Sequence, residues 1–388
     1  MGVTHPRGFS AHGLTAGLKA SGKPDLALVF NHGPHKAAAG VFTSNRVCAA
    51  PVHWSRQVLA DGGLRAVILN SGGANACTGP EGFADTHATA EQVAAALQVA
   101  GHDVGPIDVA VCSTGLIGVR LPMEKIGAAI PDLVRGLSTD GGARAAEAIM
   151  TTDTVAKQSV AIRDGWSVGG MAKGAAMLAP GLATMLVVIT TDAVVDPDGL
   201  HDQLAAATEV SFDRVDSDGC MSTNDTVLLL SSGASGVTPP SNDLVAAITE
   251  VCLDLALQLV ADAEGASHTI TIDVVNAAST ADAVEVGKSI ARNNLFKCAV
   301  FGNDPNWGRV LSAVGTTSAA FEPDQLDVSF NGVQICRAGG IGEPRELVDL
   351  HDRQVSVVVD LHAGDRRATI WTTDLTYDYV RENAEYST

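Results

Sequence analysis

Aromatic residues and positive charges are both scarce in this 388-residue chain. Phe, Trp and Tyr make up 4% of the residues, and 25 Lys and Arg stand against 44 Asp and Glu, which gives a formal net charge of −19. A protein that binds nucleic acid through its phosphates needs clustered Lys and Arg, and so does one that binds an anionic membrane surface. The composition therefore argues against both classes of partner.

The chain also lacks paired cysteine motifs and a recognisable signal peptide. Its seven cysteines are odd in number, scattered, and form no C-x-x-C pair, and its first residues contain no basic segment followed by an apolar one. Such thiols are typical of reduced cytosolic proteins rather than of disulfide-bonded secreted ones, and their spacing does not predict a zinc site. We therefore expect a cytoplasmic protein without a bound metal.

No uninterrupted apolar run is long enough to predict a membrane span. The nearest candidate is residues 175–195, but Pro180 and Gly181 interrupt it early and Asp192 ends it. Only residues 185–189 are continuously apolar and rich in β-branched side chains, which predicts a buried strand that follows a turn. We therefore expect no interaction with a membrane.

Hydrophobic residues, in contrast, make up 46% of the chain, and glycine contributes 40 residues. A chain of this composition can bury a large core, which excludes intrinsic disorder. Strand-like runs, many of them apolar throughout, alternate with helix-like runs, as in sheets covered by helices. The predicted fold class is therefore α/β or α+β, with layered sheets. Strands are predicted at residues 27–30, 66–70, 109–113, 159–162, 185–190, 226–231, 269–275, 326–330 and 355–361, and helices at 86–99, 143–150, 244–263 and 282–291.

Two glycine-containing turns directly follow predicted strands and have backbone N–H groups that could face an anion. They are residues 70–79 (NSGGANACTG) and 113–118 (STGLIG). Neither has the spacing of a phosphate-binding loop, and the sequence contains no G-x-S-x-G nucleophile motif and no H-E-x-x-H metal motif. Without further information, a tight turn that binds nothing is the more common role of such a loop.

Thr184 is the one candidate nucleophile with a physical argument behind it. It lies between a Pro-Gly turn and the predicted strand at residues 185–190. A threonine hydroxyl is a weak nucleophile unless a base is adjacent, and a threonine that chain cleavage makes N-terminal has its own α-amine as that base. An ordinary β-branched strand residue is the alternative interpretation.

Several motifs together resemble the ornithine acetyltransferase family of arginine biosynthesis, also called bifunctional glutamate N-acetyltransferase. They occur in the family's order: residues 39–46 (AGVFTSNR), 50–52 (APV), 70–79, 113–118, 151–154 (TTDT), 173–188 (KGAAMLAPGLATMLVV), 222–226 (STNDT), 304–309 (DPNWGR), 374–376 (DLT) and 383–388 (NAEYST). Because agreement extends from near Gly8 to the last residue, the match is specific. It implies the fold shared by ornithine acetyltransferases and DmpA-like proteins.

The resemblance implies that the chain cuts itself between Ala183 and Thr184. An α fragment (residues 1–183) and a β fragment (residues 184–388) would stay associated, two of each forming an α2β2 assembly. Thr184, now N-terminal, would take the acetyl group from N2-acetyl-L-ornithine and pass it to L-glutamate in a ping-pong reaction, releasing ornithine and then N-acetylglutamate. The resemblance implies no cofactor, and it leaves open whether acetyl-CoA is also a substrate that donates acetyl groups.

The resemblance also implies roles for individual residues. Thr114 and Gly115 match the oxyanion-hole pair, whose donors stabilise the negative charge that develops during acyl transfer. The residues that it implies for substrate binding are Thr151 or Thr152, Lys173, Thr184, Glu264, Asn383 and Thr388. Without the family, Lys173 would be interpreted as a solvated lysine, Glu264 as a surface acid at a helix end, and the C-terminal residues as a frayed tail.

Two other functions compete with acetyl transfer. An amidohydrolase or aminopeptidase on a related self-processing scaffold would pass the acyl group to water instead of to an amine. A binding protein that has lost the chemistry would show damage at the nucleophile or at the oxyanion pair, and both are intact here. Lys173, Asn383 and the Thr388 terminus suit an amino-acid acceptor, so the sequence favours the acetyltransferase.

Overall fold

The computed structural model describes residues 2–178 and 185–385, which divide into two compact units. The first unit contains residues 2–178, 185–213 and 221–259, and the second contains residues 214–220 and 260–385. The strands are β1 (Phe9–Leu14), β2 (Leu26–Asn31), β3 (Ala38–Phe42), β4 (Ala66–Ser71), β5 (Val109–Thr114), β6 (Lys157–Ile162), β7 (Ser167–Lys173), β8 (Leu186–Thr191), β9 (Thr226–Ser231), β10 (Thr269–Ala277), β11 (Asp327–Phe330), β12 (Val333–Arg337), β13 (Gly340–Ile341), β14 (Gln354–Asp360) and β15 (Arg366–Thr373). The α-helices are α1 (Ala50–Val58), α2 (Gly79–Val99), α3 (Met123–Arg135), α4 (Gly142–Ala148), α5 (Leu200–Glu209), α6 (Ser241–Ala261), α7 (Thr280–Ala291), α8 (Asn294–Phe301), α9 (Trp307–Val314) and α10 (Tyr377–Glu385).

The first unit is built on two sheets that share one hydrophobic core. The four-stranded sheet has the order β1-β2-β4-β5, and the five-stranded sheet has the order β3-β9-β8-β7-β6. Leu28 and Ile68 of the first sheet, Val188 and Leu228 of the second, and apolar residues of the covering helices belong to the same buried cluster. Strands buried on both faces explain the continuous apolar runs in the sequence.

Strand pairing brings several polar strand ends together in this unit. The parallel pair β4–β5 places Asn70 beside Ser113 at the carboxyl ends of the two strands. The antiparallel pair β7–β8 places Lys173, the last residue of β7, opposite Leu186, the first residue of β8. Leu186 is in turn opposite Thr226, the first residue of β9. Both sheets therefore carry polar residues at the ends of their strands.

The second unit contains a six-stranded sheet covered by helices. Its order is β13-β12-β11-β14-β10-β15, and the central strand β10 pairs in parallel with β14 and antiparallel with β15. Ile272 and Val274 of β10 lie in its buried core with Val286 of α7 and Phe296 of α8. Buried and half-exposed residues alternate along β14, so within the described part of the chain one face of this strand is buried and the other is partly open.

The structure confirms the predicted fold class and all nine predicted strands. The four predicted helices also exist, although α2 begins at Gly79 rather than at residue 86. The remaining elements were not predicted, namely β1, β3, β7, β12, β13, β15, α1, α3, α5, α8, α9 and α10. In strand β7, Gly169 and Gly170 interrupt the apolar pattern. Helix α3 contains Pro131, which would ordinarily argue against a helix.

Helix α6 is, among the described residues, the one helix long and apolar enough to cross a membrane by length and composition. Half of its most apolar window is buried inside the protein. Its buried side chains recur every three or four residues, while Glu250 and Asp254 are exposed. This one-sided pattern is that of a core helix.

The predicted cleavage position lies between two neighbouring strands of one sheet. Residues 183 and 184 are outside the described part of the chain, but β7 ends at Lys173 and β8 begins at Leu186, and these strands are hydrogen-bonded to each other. The predicted boundary between fragments therefore falls inside the first unit and not between the units. The two fragments themselves stay a prediction.

Candidate active site

The turn after β5 contains the predicted oxyanion pair. The carbonyl of Thr114 accepts the N–H groups of Gly72 (2.9 Å) and Gly73 (3.0 Å), which locks this turn against the turn after β4. Gly115 has φ +131°, and a Cβ atom there would lie 2.5 Å from the Gly73 nitrogen. Backbone conformation and close approach both require glycine at this position.

Buried side-chain amides fix the two turns. Asn70 accepts the Ser113 hydroxyl at 2.5 Å and donates to the Gly73 carbonyl at 3.0 Å. Asn224, far along the chain, donates to the carbonyls of Ala74 (2.6 Å) and Ser113 (2.8 Å). Since buried amides satisfied in this way specify one arrangement, the donor groups of the turns are preorganised.

Lys173 lies beside Thr114. Its side chain is 2% exposed, and its Nζ donates to the Thr114 hydroxyl over 3.3 Å. Lysine is rarely buried to this extent unless its charge is balanced. The interpretation of Lys173 as a solvated lysine is therefore wrong, and the structure brings it together with the predicted oxyanion pair.

Asp153 balances this charge and organises the surrounding backbone. It accepts the N–H of Gly174 (2.7 Å), the N–H of Thr151 (2.9 Å) and the Nζ of Lys157 (2.7 Å), and the Lys157 side chain is completely buried. Burial would raise the pKa of Asp153, but the charges of Lys173 and Lys157 outweigh it and lower the pKa to about 2. The segment at residues 151–154 thus carries a carboxylate whose role the sequence did not reveal.

We expect Asp153→Asn to destabilise the fold, because it removes the negative charge that accepts the completely buried Lys157 ammonium at 2.7 Å. The loss at pH 7 should be about 3–5 kcal/mol in the free energy of unfolding, measured with urea. A carboxyl group whose folded pKa is depressed stabilises the fold above its unfolded pKa, and this contribution disappears as the pH falls from about 4 to 2. The wild type should therefore lose about 2 kcal/mol more than the variant over that interval.

The control for this prediction is the double variant Asp153→Asn/Lys157→Met. The double variant also removes the buried positive charge that Asp153 balances in the wild type, so it should be more stable than Asp153→Asn alone. A single variant as stable as the wild type at pH 7 would contradict the role assigned to Asp153.

A cavity of about 310 Å³ adjoins this cluster. Its lining includes Lys19, Met150, Thr151 and Asp153. Lys19 donates to the carbonyls of Met150 (2.6 Å) and Pro24 (2.8 Å), and burial is the main cause that lowers its pKa to about 8. Of the two threonines implied for substrate binding, Thr151 lines the cavity, whereas Thr152 is half-buried and is not part of the lining.

The second unit holds another pair of predicted site residues. Asn383, on α10, donates to a carboxylate oxygen of Glu264 at 2.9 Å. The start of α10 is fixed by Thr376, whose hydroxyl donates to the Gly265 carbonyl (2.6 Å) and accepts the Tyr379 N–H (3.0 Å). The interpretation of the C-terminal residues as a frayed tail is wrong up to Glu385, because they form a helix.

Three predicted residues lie outside the described part of the chain, namely Ala183, Thr184 and Thr388. The next described residue, Met185, is buried at the start of β8. Its N–H donates to Asp225 Oδ1 at 3.1 Å, and its carbonyl accepts the Thr226 N–H at 3.2 Å. The Met185 nitrogen forms the peptide bond with the carbonyl carbon of Thr184, the residue before it.

A Ser-His-Asp cluster in the second unit is not a hydrolase triad. Ser267 Oγ and Asp374 Oδ2 both contact the same nitrogen of His268, Nδ1, at 3.0 and 2.7 Å. The other nitrogen, Nε2, faces the Leu350 carbonyl at 2.9 Å. In a catalytic triad the serine and the carboxylate contact opposite nitrogens, so this histidine has a structural role.

All seven cysteines are free, as their scattered positions predicted. Over residues 2–178 and 185–385, no group of three or more His, Cys, Asp or Glu side chains is arranged to hold a metal ion.

Comparison with known proteins identifies the family. Residues 10–388 match the model of the ArgJ family. The arginine biosynthesis bifunctional protein ArgJ of Streptomyces coelicolor is 65% identical over 387 residues, and that of Thermobifida fusca is 59% identical over 388 residues, with all of each chain covered. The solved ornithine acetyltransferase of Mycobacterium tuberculosis, complexed with ornithine, is 63% identical with a TM-score of 0.46, and the match covers 48% of this chain and 96% of that chain.

The family model matches nearly the whole chain, and relatives more than half identical align with it from end to end. The family resemblance seen in the sequence motifs is therefore confirmed: this chain belongs to the ArgJ family.

Proposed function

We propose that this chain is the acyltransferase of arginine biosynthesis that moves an acetyl group from N2-acetyl-L-ornithine to L-glutamate. The observation that carries the proposal is the meeting of three groups in the first unit. These are the preorganised turn at Thr114-Gly115, the buried ammonium of Lys173, and the start of β8, which begins two residues after Thr184. Relatives that are 59–65% identical over their full length are arginine biosynthesis bifunctional proteins.

In the proposed maturation step, the Thr184 hydroxyl oxygen attacks the Ala183 carbonyl carbon. The peptide bond between Ala183 and Thr184 breaks as the new ester bond forms, and the Thr184 nitrogen takes up the hydroxyl proton. This shift already frees the α-amine of Thr184, and water then hydrolyses the ester, which releases the Ala183 carboxylate and frees the Thr184 hydroxyl. The chain thereby produces its own nucleophile together with its base.

In the proposed transfer, the Thr184 hydroxyl attacks the acetyl carbonyl of N2-acetylornithine while the α-amine accepts the proton. The backbone N–H groups at Thr114 and Gly115 stabilise the oxyanion. Collapse breaks the acetyl C–N bond, the proton passes to the leaving amine, and ornithine departs. The amine of glutamate then attacks the acetyl ester, which releases N-acetylglutamate and regenerates the threonine.

Local charge supports the choice of substrates. Ornithine, glutamate and their acetylated forms all carry a carboxylate, and the Lys173 ammonium offers a buried partner for one despite the net charge of −19. Thr151 is the proposed substrate contact at residues 151–152, because it lines the adjacent cavity. Glu264, Asn383 and Thr388 stay proposed substrate-binding residues on the strength of the family resemblance.

The proposal extends to the remaining features that the family implies. Acetyl-CoA would be a second acetyl donor to Thr184, which accounts for the word bifunctional in the names of the relatives. The two fragments would stay together as an α2β2 assembly in the cytosol, without a metal or organic cofactor.

Intact mass and acetyl-transfer assays of the purified protein test this function. We expect two fragments, the second beginning at Thr184, and N-acetylglutamate that forms only when glutamate is supplied with either acetylornithine or acetyl-CoA. Acetate released at the same rate with or without glutamate would instead identify an amidohydrolase. Full activity in a single uncut chain would contradict the N-terminal threonine mechanism.

A further inference from the structure

Asp225 belongs to the STNDT motif that supports the family resemblance, but none of the proposed chemical steps uses it. It directly precedes β9, and its side chain is completely buried. Its Oδ1 accepts the N–H of Met185 at 3.1 Å. Its own carbonyl accepts the Thr43 N–H at 2.9 Å, which holds the backbone of this segment against the end of β3.

The position of this contact gives Asp225 its significance. The Met185 N–H belongs to the peptide group whose carbonyl is that of Thr184, and a peptide group is planar. Oδ1 of Asp225 accepts the N–H on one edge of that plane, and the Thr226 N–H holds the Met185 carbonyl on the following peptide group. Rotation about the backbone bonds of Met185, the residue after the proposed nucleophile, is therefore restricted from two sides.

The surroundings of the Asp225 carboxyl group disfavour its negative charge, so its role is better explained by hydrogen-bond acceptance than by charge. Burial raises the pKa of Asp225 well above its usual range, and the N–H of Met185 and the charge of Lys173 only partly offset this effect. The Ser222 hydroxyl lies near the carboxyl group, yet Oδ2 makes no hydrogen bond to any described residue. Asp213 adds a further repulsive charge.

The same motif also holds the oxyanion turn. Asn224, the neighbour of Asp225, donates to the carbonyl of Ser113, which immediately precedes Thr114. Two consecutive side chains thus link the peptide after the proposed nucleophile to the turn that would stabilise its oxyanion. Rates of acyl transfer depend steeply on such alignment, because an error of about 1 Å can cost a hundredfold.

We propose that Asp225 is a positioning residue, which orients the peptide after Thr184 for self-cleavage and acetyl transfer by accepting the Met185 N–H. This inference rests on the proposed function. It requires an acceptor oxygen at this place and does not require a negative charge.

The test compares variants that separate the acceptor from the charge. Asp225→Asn keeps an acceptor oxygen, so precursor cleavage and kcat per mature chain should stay within about fivefold of the wild type. Asp225→Ala removes the acceptor, and both rates should fall about tenfold to a hundredfold with KM for glutamate nearly unchanged. Intact mass follows cleavage over time, and circular dichroism with a cooperative thermal transition identifies folded protein.

The matched control is Asp192→Ala. Asp192 is also a buried carboxylate of the first unit that accepts backbone N–H groups, those of Ser167 (2.7 Å) and Arg7 (3.1 Å), but it does not contact Met185. Its loss should lower the thermal transition and leave the cleavage rate of the folded fraction unchanged. If Asp225→Ala does not fold, Asp225→Glu replaces it, since it keeps the carboxyl but displaces the acceptor, and it should be slower than Asp225→Asn.

Two results would overturn the inference. One is folded Asp225→Ala that matures and turns over at the wild-type rate. The other is Asp225→Asn as slow as Asp225→Ala, or slower than Asp225→Glu, which would assign the effect to the charge. A wild-type chain that neither cuts itself nor transfers acetyl groups would contradict the proposed function instead, so the two failures are distinguishable.

Discussion

Thr184→Ala is expected to leave the chain uncut and to reduce acetyl transfer at least about a thousandfold. The variant lacks the oxygen that attacks both the Ala183 carbonyl and the acetyl group, and removal of a covalent nucleophile ranks among the most damaging changes in enzymes of this kind. Intact mass should show a single species of residues 1–388, and N-acetylglutamate formation should approach the background rate.

Thr184→Ser is the matched control for this variant. It keeps the hydroxyl and an α-amine after cleavage, and it loses only a methyl group, so it should cut itself and retain transfer, although more slowly. Cleavage before residue 184 in Thr184→Ala would show that another group performs the cut. Equal activity in both variants would show that the side-chain oxygen does not carry the acetyl group.

Gly115→Ala is expected to lower kcat about a hundredfold to a thousandfold, with a much smaller change in KM. The new Cβ would lie 2.5 Å from the Gly73 nitrogen and 2.8 Å from the Gly72 carbonyl carbon, and both are backbone atoms that a rotamer change cannot move. The turn must shift, which moves the N–H groups that stabilise the oxyanion. Steady-state kinetics with acetylornithine and glutamate measure the effect.

Gly118→Ala provides a control three residues further along the same turn. Gly118 also has a left-handed backbone, with φ +85°, but a Cβ there would meet no atom within 4 Å. The substitution therefore carries a conformational cost of about 1–2 kcal/mol without a steric clash, and kcat should stay within about twofold of the wild type. Similar losses of kcat in both variants would contradict the assignment of the oxyanion site to Gly115.

The fold was predictable where strands are buried on both faces, because such strands leave continuous apolar runs in the sequence. β8 and β9 are of this kind. β7 is just as buried but contains Gly169 and Gly170, which obscure the pattern. Gly170 faces Val251 and Leu255 of α6, where a Cβ atom would lie 3.0 Å from each side chain. A close approach between a strand and a helix thus selected a residue that local propensity disfavours.

The site was predictable only in part, since its chemistry depends on contacts between distant residues. The family resemblance identified Thr114, Gly115 and Lys173, and the structure brings them together. The sequence did not indicate that Lys173 is buried. The carboxylate that balances its charge, Asp153, lies twenty positions earlier in a polar run. Asp225 could not be linked to Met185 before the parallel pairing of β8 and β9 was known.

The strand order β3-β9-β8-β7-β6 determines how the two proposed fragments could separate. In the proposed product, β8 and β9 belong to one fragment and lie between β3 and β7 of the other. The fragments can separate only if the sheet comes apart, so loss of the fold is also dissociation. An uncut precursor would refold as a single chain, whereas two cut fragments would have to associate again, so that recovery after denaturation would depend on protein concentration. The proposed cut would therefore turn the refolding of one chain into an association of two fragments.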